Sequence, residues 1–184
     1  MIFYDFEIFK YDWLTVAIDM NNKQEYVISN DPEALKALYE AHVKDVWVGY
    51  NNKHYDQYII KAILLGMDPK EVSDQIIVDH MDGWQISKAF NKIPMCNYDV
   101  MASNDGAEQE RHGVGLKTLE AFLGANIKET DVDFNIDRKL TTEELKLTEQ
   151  YCRSDVENTI KVFLHKVDDF NAMFSIVRDY KLPV

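Results

Sequence analysis

Positive charge is scarce in this chain: 20 Lys and Arg stand against 32 Asp and Glu, for a formal net charge of −12. A protein that holds nucleic acid by neutralising phosphates presents a basic surface, so a simple electrostatic binder of that kind is excluded. An acidic site that gathers divalent cations is not excluded, because the ions bring their own positive charge. Cysteine is nearly absent too. Cys96 and Cys152 are the two, in no C-x-x-C pattern, so neither a disulfide framework nor a cysteine zinc site is expected and both read as reduced thiols. His42, His54, His80, His112 and His165 lack zinc spacing. No Ser/His/Asp or Cys/His nucleophilic arrangement is recognisable. The longest apolar run, AILLG, is cut short by Met67-Asp68-Pro69, so no membrane span is expected. The opening MIFYDFEIF lacks the basic start and small-residue cleavage site of a signal peptide. No repeat, low-complexity tract or Ser/Gly linker interrupts the chain.

What is present is a globular composition of 46% hydrophobic and 12% aromatic residues over 184 positions. That length fits one domain, 1–184, able to bury its own core. The terminal Lys-Leu-Pro-Val reads as a boundary of the sort left when a domain is taken from a longer protein. A soluble, cytoplasmic chain is the expectation.

The pattern begins with strands. Ile2 to Ile8 and Leu14 to Asp19 alternate as strands do, Asn21-Asn22 supplies a turn, and Glu25 to Ser29 completes an antiparallel meander. Asp31-Pro32 starts a helix that carries Leu35, Leu38, Tyr39 and His42 at helical spacing and ends near Lys44. Val46 to Tyr50 is a buried-type strand, and a helix from about Tyr55 to Leu65 stops at Gly66. Asp68-Pro69 starts another helical stretch, and Asn97 to Met101 suggests a short strand. Gly115 to Gly124, GLKTLEAFLG, is a compact amphipathic helix with Leu116, Leu119, Phe122 and Leu123 on one side. Thr141-Thr142-Glu143-Glu144 is a capping-box start for one long final helix running towards Met173. Asp131 to Asn135 imitates the start of a calcium loop, but Ile136 stands where glycine is needed and Thr142 where glutamate is. An extended segment is the better reading there.

Three acidic pieces stand out on these elements. On a strand, residues two apart share a face, so Asp5 and Glu7 project together while Phe6 points away. Charges amid Ile2, Phe3, Tyr4, Phe6, Ile8 and Phe9 need a reason. Asp56 follows the buried strand at the start of a helix, and Tyr151 and Asp155 lie one helical turn apart. Singly, each has an ordinary explanation: edge-strand acids, an acid at a helix dipole, a half-buried tyrosine beside an exposed acid. Together, four acids from distant segments could converge on hard divalent ions, which demand oxygen ligands. Two such ions suffice for phosphodiester hydrolysis with no covalent nucleophile.

Asp5-Phe6-Glu7, then Gly49-Tyr50-Asn51-Asn52-Lys53-His54-Tyr55-Asp56, then Tyr151 to Asp155 resemble, in order, the three motifs of the tyrosine branch of the DEDD 3′-to-5′ exonucleases. The resemblance implies an α/β ribonuclease H-like fold, with a mixed five-stranded sheet, an antiparallel first meander and helices on both faces. It implies two divalent cations, Mg²⁺ or Mn²⁺, with Asp5 as the shared ligand and Glu7 as a ligand that also meets the terminal 3′-hydroxyl. Asp56 is then the second-metal acid, Asp155 a further ligand, and Tyr151 the group orienting the attacking water. Asn51, Tyr55 and Phe6 are implied as contacts to the strand. GLKTLEAFLG resembles the helix preceding the third motif. The opening FYDFEIFKYDWL is similar to the amino-terminal proofreading region of bacteriophage DNA polymerases. That implies a single-stranded DNA 3′ terminus as partner, the host cytoplasm as location, and either a proofreading domain with a polymerase domain as its neighbour or a standalone phage-type exonuclease. Two rivals stand beside it: a non-catalytic interaction domain of the same fold, against which the retention of all four acids and Tyr151 argues, and an RNA-directed exonuclease. Lys53, Lys117 and Asp99 read as solvated lysines and a strand-end acid.

Overall fold

A computed structural model describes residues 1–101, 115–122 and 132–180, apart from the side chains at 119, 120 and 122. Strands β1 (Ile2–Ile8), β2 (Trp13–Asp19) and β3 (Gln24–Ser29) form the meander, and helix α1 (Pro32–Ala41) leads into β4 (Val46–Gly49). Helices α2 (Asp56–Leu64), α3 (Pro69–Ile77) and the short α4 (Gly83–Ile86) follow, then a 3-10 turn, Lys88–Lys92, and strand β5 (Cys96–Asp99). Helices α5 (Leu116–Phe122), α6 (Thr142–His165) and α7 (Val167–Tyr180) complete the described elements. The five strands lie in the order β3-β2-β1-β4-β5. β1 pairs antiparallel with β2 and β2 with β3, whereas β1 with β4 and β4 with β5 are parallel. The protein is therefore α/β with a mixed, open five-stranded sheet. Among the described residues no helix is long and apolar enough to cross a membrane.

Alternation along β1 divides the core between two faces. Ile2, Tyr4, Phe6 and Ile8 join Leu35 and Leu38 of α1, Ile59, Ile60 and Ile63 of α2, and Val72 of α3. Phe3 on the other face joins Leu14, Val16, Val48 and Tyr98 with Cys152, Val156, Val162 and Phe163 of α6 and Phe170 of α7. Asp5 and Glu7 share the Phe3 face and so look towards α6.

Local chemistry sets most of the helix ends. Asp31 accepts from the Ala34 amide at 3.0 Å with Pro32 in the first turn, and Thr141 and Glu144 close a reciprocal capping box. Helix α1 stops at Ala41, short of Lys44, because the His42 amide turns back to the Leu38 and Tyr39 carbonyls and its ring meets Asp45 at 2.7 Å. The single long final helix is also corrected: it breaks at Lys166, whose amide reaches back to the Phe163 carbonyl in place of the regular i−4 partner, giving α6 and α7. The expected extended run at Asp131 to Asn135 is replaced over 133–136 by a turn. Asp133 Oδ1 accepts from the Asn135 amide at 2.9 Å, and the Ile136 amide reaches the Asp133 carbonyl. Asp131 and Leu123, and the side chains of Leu119 and Phe122, lie outside the described residues.

Candidate metal centre

Strand β1 runs past the end of β4. Their pairing covers Ile2 with Trp47 and Phe3 with Val48, and β4 ends at Gly49, so the far half of β1 lies beyond that pairing. The loop after β4 folds over the gap. A Cβ on Gly49 would lie 2.7 Å from the Asn52 Cβ and 3.2 Å from the Tyr4 carbonyl, so only glycine admits this crossing. Asn51 takes a positive φ of 62°. Asp99, the buried last residue of β5, accepts from the amides of Asn51 at 2.9 Å, Lys53 at 3.2 Å and Met101 at 3.0 Å. A strand-end acid is what Asp99 is, and its work is to pin the second acidic piece.

That pinning delivers Asp56 to β1. Asp56 is the first residue of α2, 3% exposed, and the amides of Phe6 and of Asp56 itself hydrogen-bond its carboxylate. One oxygen, Oδ1, is buried without a hydrogen-bond partner among the described residues. Burial, aided by the negative charge of Asp99, pushes its pKa up to about 7 despite those amides. Across the strand, Asp5 and Glu7 face α6. Both carboxyls are raised well above their ordinary range, first by desolvation and then by the neighbouring acids: Asp56, Glu7 and Asp155 for Asp5, and Asp155 and Asp56 for Glu7. The four acids therefore share one electrostatic neighbourhood, contributed by β1, α2 and α6.

On α6, Tyr151 and Asp155 stand one turn apart as their spacing predicted. Burial, with the neighbouring charges of Asp155, Glu7 and Asp5, raises the Tyr151 phenol so that it stays protonated beside Asp155. Asp155 is itself 9% exposed. Two further residues join them. Lys117, from α5, sets its Nζ 2.5 Å from Asp155 Oδ1 and 4.7 Å from the centre of the Tyr151 ring, and its charge opposes the rise at Glu7. Cys152, fully buried, turns its Sγ towards Asp5, 3.5 Å from the backbone oxygen and 3.7 Å from Oδ2. The reading of Lys117 as a solvated lysine is thus corrected, since the contact of α5 with α6 gives its ammonium an acid partner.

The residues expected to touch a strand are placed differently from one another. Asn51 is half-buried in the loop beside the acids. Tyr55 is also half-buried, but its hydroxyl engages Ser73 Oγ at 2.8 Å and its ring packs on the α1–α3 side of the core. Phe6 is 5% exposed, with its ring tilted against Trp13 in the same core, so its amide rather than its ring faces the site through Asp56. Lys53 and His54 are exposed on the loop.

Divalent cations fit this donor set. Clustered, desolvated carboxylates repel one another, which raises their pKa values, and the buried Oδ1 of Asp56 has no donor among the described residues. A cation with oxygen preference answers both conditions. Among the described residues, Asp5, Glu7 and Cys152 each offer a ligand atom within 4.8 Å of the others, and Asp56 and Asp155 act on Asp5 and Glu7 electrostatically. No family model, curated protein or solved structure matches the chain.

Proposed function

We propose that the chain is a metal-dependent 3′-to-5′ exonuclease of the tyrosine branch of the DEDD group, on a ribonuclease H-like fold, which releases 5′-mononucleotides from the 3′ end of single-stranded DNA. One observation carries this reading: Asp5 and Asp155, 150 positions apart, share an electrostatic neighbourhood with Glu7 and with Asp56, whose buried Oδ1 has no hydrogen-bond partner among the described residues.

Each side chain then has a task. Asp5, Glu7, Asp56 and Asp155 hold the cations, either Mg²⁺ or Mn²⁺. When bound, a pair of such ions supplies Lewis-acid charge on both sides of a phosphodiester. Glu7 also receives the terminal 3′-hydroxyl. Tyr151, protonated beside Asp155, orients the attacking water by a hydrogen bond. Asn51, carried on the loop that Asp99 pins, is assigned to contact the strand. The net charge of −12 opposes DNA approach, so the chain acts best as a domain to which a polymerase delivers the strand.

The test is digestion of DNA oligonucleotides labelled at either end, with Mg²⁺, with Mn²⁺ and with chelator, and again with Asp5→Ala. Stepwise shortening from the 3′ end that requires metal and Asp5 is expected. A matched RNA substrate in the same assay reports the choice of sugar. Internal cleavage, or activity that survives the substitution, overturns the assignment.

A further inference from the structure

The sulfur of Cys152 belongs to no step of that reaction, yet it lies inside the acid cluster. Its Sγ and one carboxylate oxygen each from Asp5 and Glu7 all lie within 4.8 Å of one another. Zinc bonds of roughly 2.0–2.3 Å in a tetrahedral site hold their donor atoms about 3.3–3.8 Å apart. The 3.7 Å between Cys152 Sγ and Asp5 Oδ2 already has that spacing. A second feature stands beside it: the Asp56 carboxylate, 3% exposed and close enough to raise both Asp5 and Glu7 by its charge, has an Oδ1 with no hydrogen-bond partner among the described residues.

We propose that the site has a second, thiophilic binding mode, in which one Zn²⁺ or Cd²⁺ is captured by Asp5, Glu7 and Cys152 and thereby shuts out the ions that support hydrolysis. The proposal rests on the acid cluster being a cation site, as argued above. Hard Mg²⁺ prefers oxygen and gains little from sulfur, whereas Zn²⁺ and Cd²⁺ gain strongly from a thiolate. Capture forms a metal–sulfur bond and breaks the S–H bond, and the proton leaves to solvent. Cys152 is fully buried, and Asp5 beside it is the cluster member with the most exposed surface. The two modes exclude each other because both need Asp5 and Glu7. The same residues thus make the proposed enzyme sensitive to trace soft metals.

The test titrates the full chain with Cd²⁺ in excess Mg²⁺ and reads thiolate-to-metal charge-transfer absorption, while Mn²⁺ affinity is measured separately by electron paramagnetic resonance. The native chain should show the band saturating at one equivalent. Cys152→Ser should abolish it and weaken Cd²⁺ by about tenfold or more, with Mn²⁺ affinity held to within about twofold. Cys96→Ser should keep the band. Asp5→Asn, which retains the thiol, should weaken both metals and serves if Cys152→Ser does not fold. A native chain without the band, a band that follows Cys96, or Cd²⁺ affinity indifferent to both Cys152 and Asp5 would overturn the proposal. Because binding is read directly, a chain that digests DNA but fails here refutes this inference alone. A chain that binds Cd²⁺ here but leaves every 3′ end intact refutes only the exonuclease.

Discussion

The Lys117 ammonium lies 2.5 Å from Asp155 Oδ1, so an amine on α5 neutralises an acid on α6 at the point where a cation would be held. A divalent ion entering there must displace it. Lys117→Met should therefore tighten Mn²⁺ binding, by about three- to tenfold, since an ion pair at a partly buried site is worth on the order of 1 kcal/mol. Electron paramagnetic resonance titration checks this. Weaker Mn²⁺ binding in the variant would mean that Lys117 organises the site instead of competing for it.

Tyr151 and Asp155 should separate by kinetics. Tyr151→Phe removes one orienting hydrogen bond, and a loss of roughly tenfold in turnover is expected. Asp155→Ala removes a proposed metal ligand, and about a thousandfold or greater loss should follow. Single-turnover assays at saturating Mg²⁺ measure both. Equal losses would contradict the assigned roles.

The acid cluster should also mark the stability of the metal-free protein. Asp56 titrates at about 7 in the folded chain, and an unfolded aspartate does so near 3.9. Its folded pKa is raised, so between those values the folded state binds the proton more tightly and stability rises as pH falls. Thermal midpoints in chelator should increase from pH 8 to pH 5. Asp56→Asn should stabilise the metal-free protein at pH 8, by on the order of 2–4 kcal/mol, and flatten that dependence. A midpoint that falls steadily over the same range would contradict the burial of these acids.

Asp99 holds the second acidic piece through three backbone amides. Asp99→Ala leaves those donors without their carboxylate, at a cost of about 2–4 kcal/mol in urea unfolding. It should also weaken Mn²⁺ binding although Asp99 is not assigned as a ligand, because Asp56 loses its placement. Unchanged metal affinity in a folded variant would detach the loop from the site.

Where the determinants are local, the sequence was readable. The meander followed from alternation, the Asp31 and Thr141 caps from single side chains, and the shared faces of Asp5 with Glu7 and of Tyr151 with Asp155 from strand and helix periods. The break at Lys166 was not, since no Gly or Pro marks it and apolar spacing continues from Phe163 to Phe170. Lys117 and Cys152 were missed for a different reason. Their partners Asp155 and Asp5 lie 38 and 147 positions away, and no local pattern announces a contact made only by tertiary packing. The burial of the Phe6 ring was legible: alternation along β1 sends it into the core, away from the face of Asp5 and Glu7.

The most direct measurement follows a 5′-labelled single-stranded oligonucleotide over time with Mg²⁺, beside its 3′-labelled twin. The account predicts a ladder shortening one nucleotide at a time from the 3′ end, release of the 3′ label as a mononucleotide at the first step, and loss of both with chelator or Asp5→Ala. An intact substrate in Mg²⁺ and Mn²⁺ alike, or a ladder that persists without Asp5, would contradict it.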